Sequence, residues 1–375
     1  MNIPSSIKVI EEDIFKDTFI KRVNYHSSIE NYLNVKLANL YSNPLINNGD
    51  FYYKDNELIL LKELNVSGNI EEVNDYSFAF INSLQKVIIS EGVKRIGIKA
   101  FMDCYNLSEI VLPNSIVSIQ SAAFSGTKIK NIDIPEKVLD IKANLFMNCR
   151  ELESINLHTK IHTIDNYAFY NCINLKGINL PEGLEMIGES GFANCRSVEK
   201  VKIPDSVKVI GGSCFLACVS LKEIILSHNL RAVMAFTFRM CSSLERIVIP
   251  NSVKKVGSFA FDKCVNLKEI KLANSIKTIG LRAFKDCTSL EKFLIPLGME
   301  SIGLCAFENC FSLHLVYLPK SLKSLENNAF LGCKNLIICI EISEQEYKNG
   351  EYSYYGLDNL LSSCYIKWNY KINRK

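Results

Sequence analysis

The sequence predicts an α/β solenoid: a right-handed coil with one long parallel sheet on its concave face and short helical or 3₁₀ turns on its convex side. Two observations carry this reading. One unit of 22 or 23 residues recurs eleven times between Val73 and Leu325, and a fixed period of that length marks stacked coils. Within each unit an aliphatic opens the pattern, Ala-Phe follows, then Cys and Leu, then two aliphatics and usually a Pro. Ile96, Ala100, Phe101, Cys104, Leu107, Ile110, Leu112 and Pro113 spell it once. Ile164, Ala168, Phe169, Cys172, Leu175, Ile178, Leu180 and Pro181 spell it again.

Each part of the unit has a physical role. Leu-x-x-Ile-x-Leu alternates with period two, as a strand with one buried face must. Equivalent strands one coil apart lie parallel and build the sheet. The Pro ends each strand because it has no donor for the ladder. Gly97, Gly188, Gly211, Gly257, Gly280 and Gly303 then allow a tight corner. The Ala-Phe-x-x-Cys-x-x-Leu stretch has helical spacing, which predicts the convex turn. Twelve phenylalanines from Phe78 to Phe330 are expected to stack as a buried spine.

Units start at Val73, Ile96, Ile119, Ile141, Ile164, Ile187, Ile210, Val233, Val256, Ile279, Ile302 and Leu325. The one at Ile119 is a residue short, through Ser125-Gly126-Thr127-Lys128-Ile129. Residues 1–48 read as irregular N-terminal repeats beginning in mid-coil, with Ile3-Pro4, Ile7 and Ile10 matching the end of a unit. Residues 49–342 read as the regular solenoid, with a hairpin near 51–61 around Asp55-Asn56. Residues 343–375 abandon the period and collect Tyr347, Tyr352, Tyr354, Tyr355, Tyr365, Trp368 and Tyr370, which reads as a C-terminal cap.

Totals narrow the function. The net charge of +3 gives no argument for nucleic acid or a membrane surface. No apolar run reaches the length of a membrane-spanning helix. Met1 to Ile20 carries Glu11, Glu12 and Asp13, so it shows no secretory leader; either the protein stays inside the cell or these residues belong to a larger or processed chain. Ten of the 14 cysteines share one repeat position and are read as free core thiols, ahead of disulfides or metal; no CxxC pair is present.

The unit Ile-Gly-x-x-Ala-Phe-x-x-Cys-x-x-Leu-x-x-Ile-x-Leu-Pro resembles the BspA-like leucine-rich repeat of the Treponema pallidum type, from Ile96 to Leu336. Ser42-Asn43-Pro44-Leu45 with Phe51-Tyr52-Tyr53, and Cys364-Tyr365-Ile366-Lys367-Trp368, are similar to an insert and a closing strand of bacterial members. The resemblance implies surface-exposed or secreted proteins of bacteria, associated with adhesion to host matrix proteins and with contacts between microbes. It implies no catalytic residues.

Any partner must then meet the outward third and fifth positions of Leu-x-x-Ile-x-Leu. Along Glu199-Lys200, Lys222-Glu223, Glu245-Arg246, Lys268-Glu269 and Glu291-Lys292 the sign inverts at every coil, as a self-neutralising checkerboard does. N-terminal to it the face offers Asn131, Asp133, Ser154, Asn156, Gly177 and Asn179. C-terminal to it an apolar row, Leu294, Leu315, Tyr317, Ile338 and Ile340, is either a protein-binding patch or the seat of the cap. The apolar row is the leading candidate site, and Asn131, Asp133, Asn156 and Asn179 are a secondary polar one.

No catalytic, cofactor or metal site is predicted. His158 and His162 have the spacing of a metal pair but span a strand end and turn; Cys214 and Cys218 fall in the core pattern. Phosphate-loop and Gly-x-Ser-x-Gly motifs are absent from the sequence. The expected function is non-enzymatic protein binding as an adhesin-like surface protein, with a host-matrix or other cell-surface protein as partner. An intracellular scaffold or effector is the alternative, and carbohydrate binding by the C-terminal tyrosines is a third reading.

Overall fold

Most coils repeat the same short strands, so backbone pairing between coils generates the architecture. A computed structural model describes residues 1–54, 57–350 and 364–370. The chain forms two compact units, Met1–Leu184 and Glu185–Lys375, each a parallel β-solenoid.

In the first unit Asn2–Ile3, Arg22–Tyr25 and Asp50–Lys54 pair in parallel. Leu58–Leu60 then folds back antiparallel on the last of these, with Tyr53 opposite Ile59, as the predicted hairpin requires. Its turn, Asp55-Asn56, lies outside the described residues. The ladder resumes through Glu63–Val66, Lys86–Ile89 and Glu109–Val111, and again through Asn131–Asp133 with Ser154–Asn156. A second parallel ladder runs through Glu72–Val73, Arg95–Ile96 and Ser118–Ile119, and then through Asp140–Ile141 and Thr163–Ile164.

The second unit repeats the plan. Lys200–Lys202 pairs with Glu223–Ile225, and Arg246–Val248 with Glu269–Lys271. Leu315–Leu318, Ile337–Ile340 and Tyr365–Lys367 form one three-stranded piece. Its second ladder includes Lys255–Val256, Thr278–Ile279, Ser301–Ile302 and Ser324–Leu325. The single concave sheet expected from the sequence is therefore two interrupted parallel ladders per unit.

The expected helical convex side is corrected too. Among the described residues the helices are Ile29–Tyr32, the 3₁₀ turn Leu40–Ser42, and Glu344–Lys348; none lies in an Ala-Phe segment. These segments are stacked turns. In the coil at Ile96, the N–H groups of Ala100, Met102 and Cys104 donate to Gly97, Lys99 and Phe101 of the same coil. Those of Lys99, Phe101 and Asp103 donate to Ser121, Ala123 and Ser125 of the next coil, at 2.7–3.0 Å. Positive φ at Lys99 (52°) and Asp103 (54°) aims alternate amides in opposite directions and stops helical propagation.

The interior is filled by columns. The Phe78, Phe101, Phe124, Phe146 and Phe169 rings stack with centroids 5.6–6.0 Å apart. In the second unit the column from Phe192 through Phe215, Phe238, Phe261, Phe284 and Phe307 to Phe330 keeps spacings of 5.2–5.8 Å. Tyr25, Tyr32 and Phe51 extend the aromatic core below Phe78. No cysteine forms a disulfide, and most of the thiols line up beside the rings. The Sγ of Cys104, Cys218, Cys264 and Cys310 donates to the carbonyl of Phe78, Phe192, Phe238 and Phe284 at 3.0–3.2 Å, so these thiols bond their coils to the ones before. At two corners only glycine fits: a Cβ on Gly211 would sit 2.4 Å from the amide nitrogen of Glu189, and one on Gly303 2.7 Å from the Gly280 carbonyl carbon.

Candidate interaction face

With rings and thiols interior, the outward side chains of the first ladder are the ones free to meet another molecule. Their geometry differs between the units.

In the second unit the checkerboard is real but pairs coils two by two. Lys222 reaches Glu199 at 3.0 Å and Lys200 reaches Glu223 at 3.1 Å. Lys268 meets Glu245 at 3.2 Å and Arg246 meets Glu269 at 3.9 Å. Of the apolar row, Leu294 (61% exposed) and Leu315 (47%) face solvent. Tyr317 does not: only 3% exposed, it packs edge-on against Tyr370 with ring centroids 6.4 Å apart. The amides of Asn369 and Tyr370 donate to Ile342 and Ile340, which seats residues 364–370 over this end. Tyr347 and Trp368 also meet, at 5.6 Å, whereas Tyr352, Tyr354 and Tyr355 lie outside the described residues.

The expected outward placement of Ile338 and Ile340 is corrected. Both are fully buried, because the strand pairs Val316 with Ile338 and Leu318 with Ile340, a step of 22 residues. Ile337 and Cys339 take the outward positions instead. Sequence reasoning also missed two exposed fifth-position side chains, Ile225 (48%) and Val248 (60%). Reading the fifth position through every coil would have found them: it runs Lys202, Ile225, Val248, Lys271, Leu294.

In the first unit the polar candidates do come together. Asn131, Asp133, Ser154, Asn156 and Asn179, with Val111, line one shallow depression of about 470 Å³. The Ser154 hydroxyl donates to the Asn131 side-chain oxygen at 2.6 Å. The strands Glu109–Val111 and Asn131–Asp133 face each other across it without pairing. Ile110 and Leu112, at core positions, are left half-exposed there, whereas Val87, Ile89, Ile132 and Ile134 are buried.

The profile of the BspA type leucine rich repeat region (6 copies) matches residues 34–152, 140–265 and 209–337. The chain belongs to that family. A leucine-rich repeat protein from Bacteroides ovatus is similar at 30% identity, covering 82% of this chain and 83% of that one, with a TM-score of 0.67. Two further structures share the fold. One is a leucine rich cell surface protein from Faecalibacterium prausnitzii, at 20% identity over 91% and 89% of the two chains and a TM-score of 0.50. The other is the pneumococcal vaccine antigen PcpA, at 15% identity over 86% and 97% and a TM-score of 0.52. No curated protein matches the sequence.

The titratable groups of this BspA-type chain fit a structural role. Burial pushes the Cys149 thiol up to about 11 and those of Cys104 and Cys218 to about 12. Cys214 is raised likewise, so the Cys214–Cys218 spacing presents two protonated core thiols. His158 bonds the Pro135 carbonyl at 3.0 Å and His228 sits 3.0 Å from Asp205. Among the described residues no three His, Cys, Asp or Glu side chains converge as a metal site. On the surface, Lys176 holds the Glu153 carboxyl, and Lys277 and Lys323 the Glu300 carboxyl, below the usual carboxylate range. The family is typically non-enzymatic, and its repeat architecture suggests protein binding.

Proposed function

We propose that the chain is a non-enzymatic protein-binding module, adhesin-like and displayed at the cell surface, whose partner is a host-matrix or other surface protein. The observation behind this reading is the group of exposed apolar side chains Ile225, Val248 and Leu294 at the fifth position, interrupted by Lys271, with Leu315 at the third position of the next coil. Exposed apolar residues aligned on a rigid face suit a protein partner, and rigidity keeps the ordering cost of association low. The neighbouring charges neutralise one another, so a strongly charged ligand gains little there. Tyr317, Ile338 and Ile340, being buried, drop out of the contact set.

The test is direct. The full chain is assayed on wells coated with fibronectin, laminin or fibrinogen, beside Leu294→Ser/Leu315→Ser. Binding should weaken at least tenfold with an unchanged circular dichroism spectrum. Equal affinity in the folded double variant, or no binding of the native chain to any of the three, sinks the reading. Labelling intact native cells with a membrane-impermeant amine reagent tests the surface location; an unlabelled chain refutes it.

A further inference from the structure

The depression in the first unit lies beside a coil that is one residue short. Between the Cys-equivalent Thr127 and the Leu-equivalent Ile129 the coil at Ile119 has one residue, where Cys104 and Leu107 are separated by two. On its two sides the strand ladders part: Glu109–Val111 does not pair with Asn131–Asp133, nor Ser118–Ile119 with Asp140–Ile141. The turn stack carries on regardless, with Ala122, Phe124 and Gly126 donating to Ala143, Leu145 and Met147 at 2.8–3.2 Å. The gap therefore exposes a strand edge in the interior of the unit.

The open edge can be assigned. The Ile134 amide donates to Asn156 in the following coil at 3.2 Å, so strand alternation aims the amides of Asn131 and Asp133 the other way, into the gap. Val111, 45% exposed, and the half-exposed Ile110 and Leu112 give the gap an apolar margin. Asp133 is the one charged residue lining it and forms no ion pair among the described residues. Unpaired edges accept an added strand, and pockets beside them select its side chains.

We infer that this gap is a second binding site, independent of the apolar row, that takes an extended peptide segment along the open edge of Asn131–Asp133 and favours a lysine or arginine facing Asp133. Backbone pairing supplies the attachment, and the single negative charge sets the preference.

The probe is a random heptapeptide display library selected on the full chain, followed by synthesis of the enriched peptides. Enriched clones should carry a basic residue, and bound peptide should slow hydrogen exchange at the Asn131 and Asp133 amides. Asp133→Lys should weaken these peptides at least tenfold. So should one residue inserted between Lys128 and Ile129, which restores the regular coil length and closes the gap. Both variants are checked by circular dichroism; if the insertion fails to fold, Asp133→Lys and hydrogen exchange decide. No enrichment, clones without basic residues, or equal binding to Asp133→Lys would overturn the inference. So would glycans binding this face where no peptide does.

Discussion

The coil at Ile96 and the coil at Ile119 differ by one residue, and that residue separates what stacks the solenoid from what decorates it. In the first, turns, ring, thiol and both strands each meet the coil before. In the second, Asn131–Asp133 lets go of the preceding coil and Ser118–Ile119 of the following one, while Phe124 stays between Phe101 and Phe146, at 6.0 and 5.8 Å. Thr127 replaces the thiol and turns its hydroxyl to the Phe124 carbonyl of its own coil, at 2.8 Å. Turns and rings, then, hold the coils together; strand pairing is dispensable at a given step.

The largest expected effect tests the thiol column. A buried thiol whose folded pKa lies above its unfolded value near 8.5–9 stabilises the fold fully below that value and loses the contribution as pH climbs toward the folded one. The folded state then binds the proton more tightly, so each such thiol lowers the stability with every pH unit in that window. With Cys149 pushed up to about 11, and Cys104 and Cys218 to about 12, the column should unfold steeply above about pH 9, followed by circular dichroism. Thr127→Cys, by adding a rung, should steepen that transition; a chain still folded at pH 11 breaks the account.

Next in size is the ring column. Phe261→Ala should cost about 3–5 kcal/mol in denaturant unfolding. Phe124→Ala should cost at least as much, since fewer strand bonds back it up. A much cheaper loss at Phe124 would show that the short coil is held by something else. Smallest is the effect of the insertion between Lys128 and Ile129. A few regained backbone hydrogen bonds should stabilise the first unit by about 1–2 kcal/mol and protect amides around Ile132 from exchange.

Much of the fold was readable because a period states its own core: the phenylalanine and cysteine positions needed no structure to place them. The convex side misled because Ala-Phe-x-x-Cys closes three-residue turns whether or not they propagate. The better signal was the residue before each Cys, often Asp or Asn (Asp103, Asn148, Asn171, Asn194, Asp286, Asn309), types that tolerate the left-handed conformation found there. The candidate row failed at Leu336-Ile337-Ile338-Cys339-Ile340 for a different reason. An unbroken apolar run has no alternation, so nothing in it fixes which residues face inward, and a slip of one reverses them all. The polar group at Asn131 was found because its strands do alternate.

Fourteen sulfhydryls in a chain without a single cross-link raise a question of timing. Once coiled, twelve of them are buried, all but Cys333 and Cys364, and thiols of the repeat column such as Cys104 are held to a carbonyl, so the column stays reduced by inaccessibility, whatever surrounds it. Before the coils close, the same groups are bare, and any two within reach can join wrongly. The hazard for this protein belongs to its assembly, and a reducing setting matters most in the first moments after synthesis.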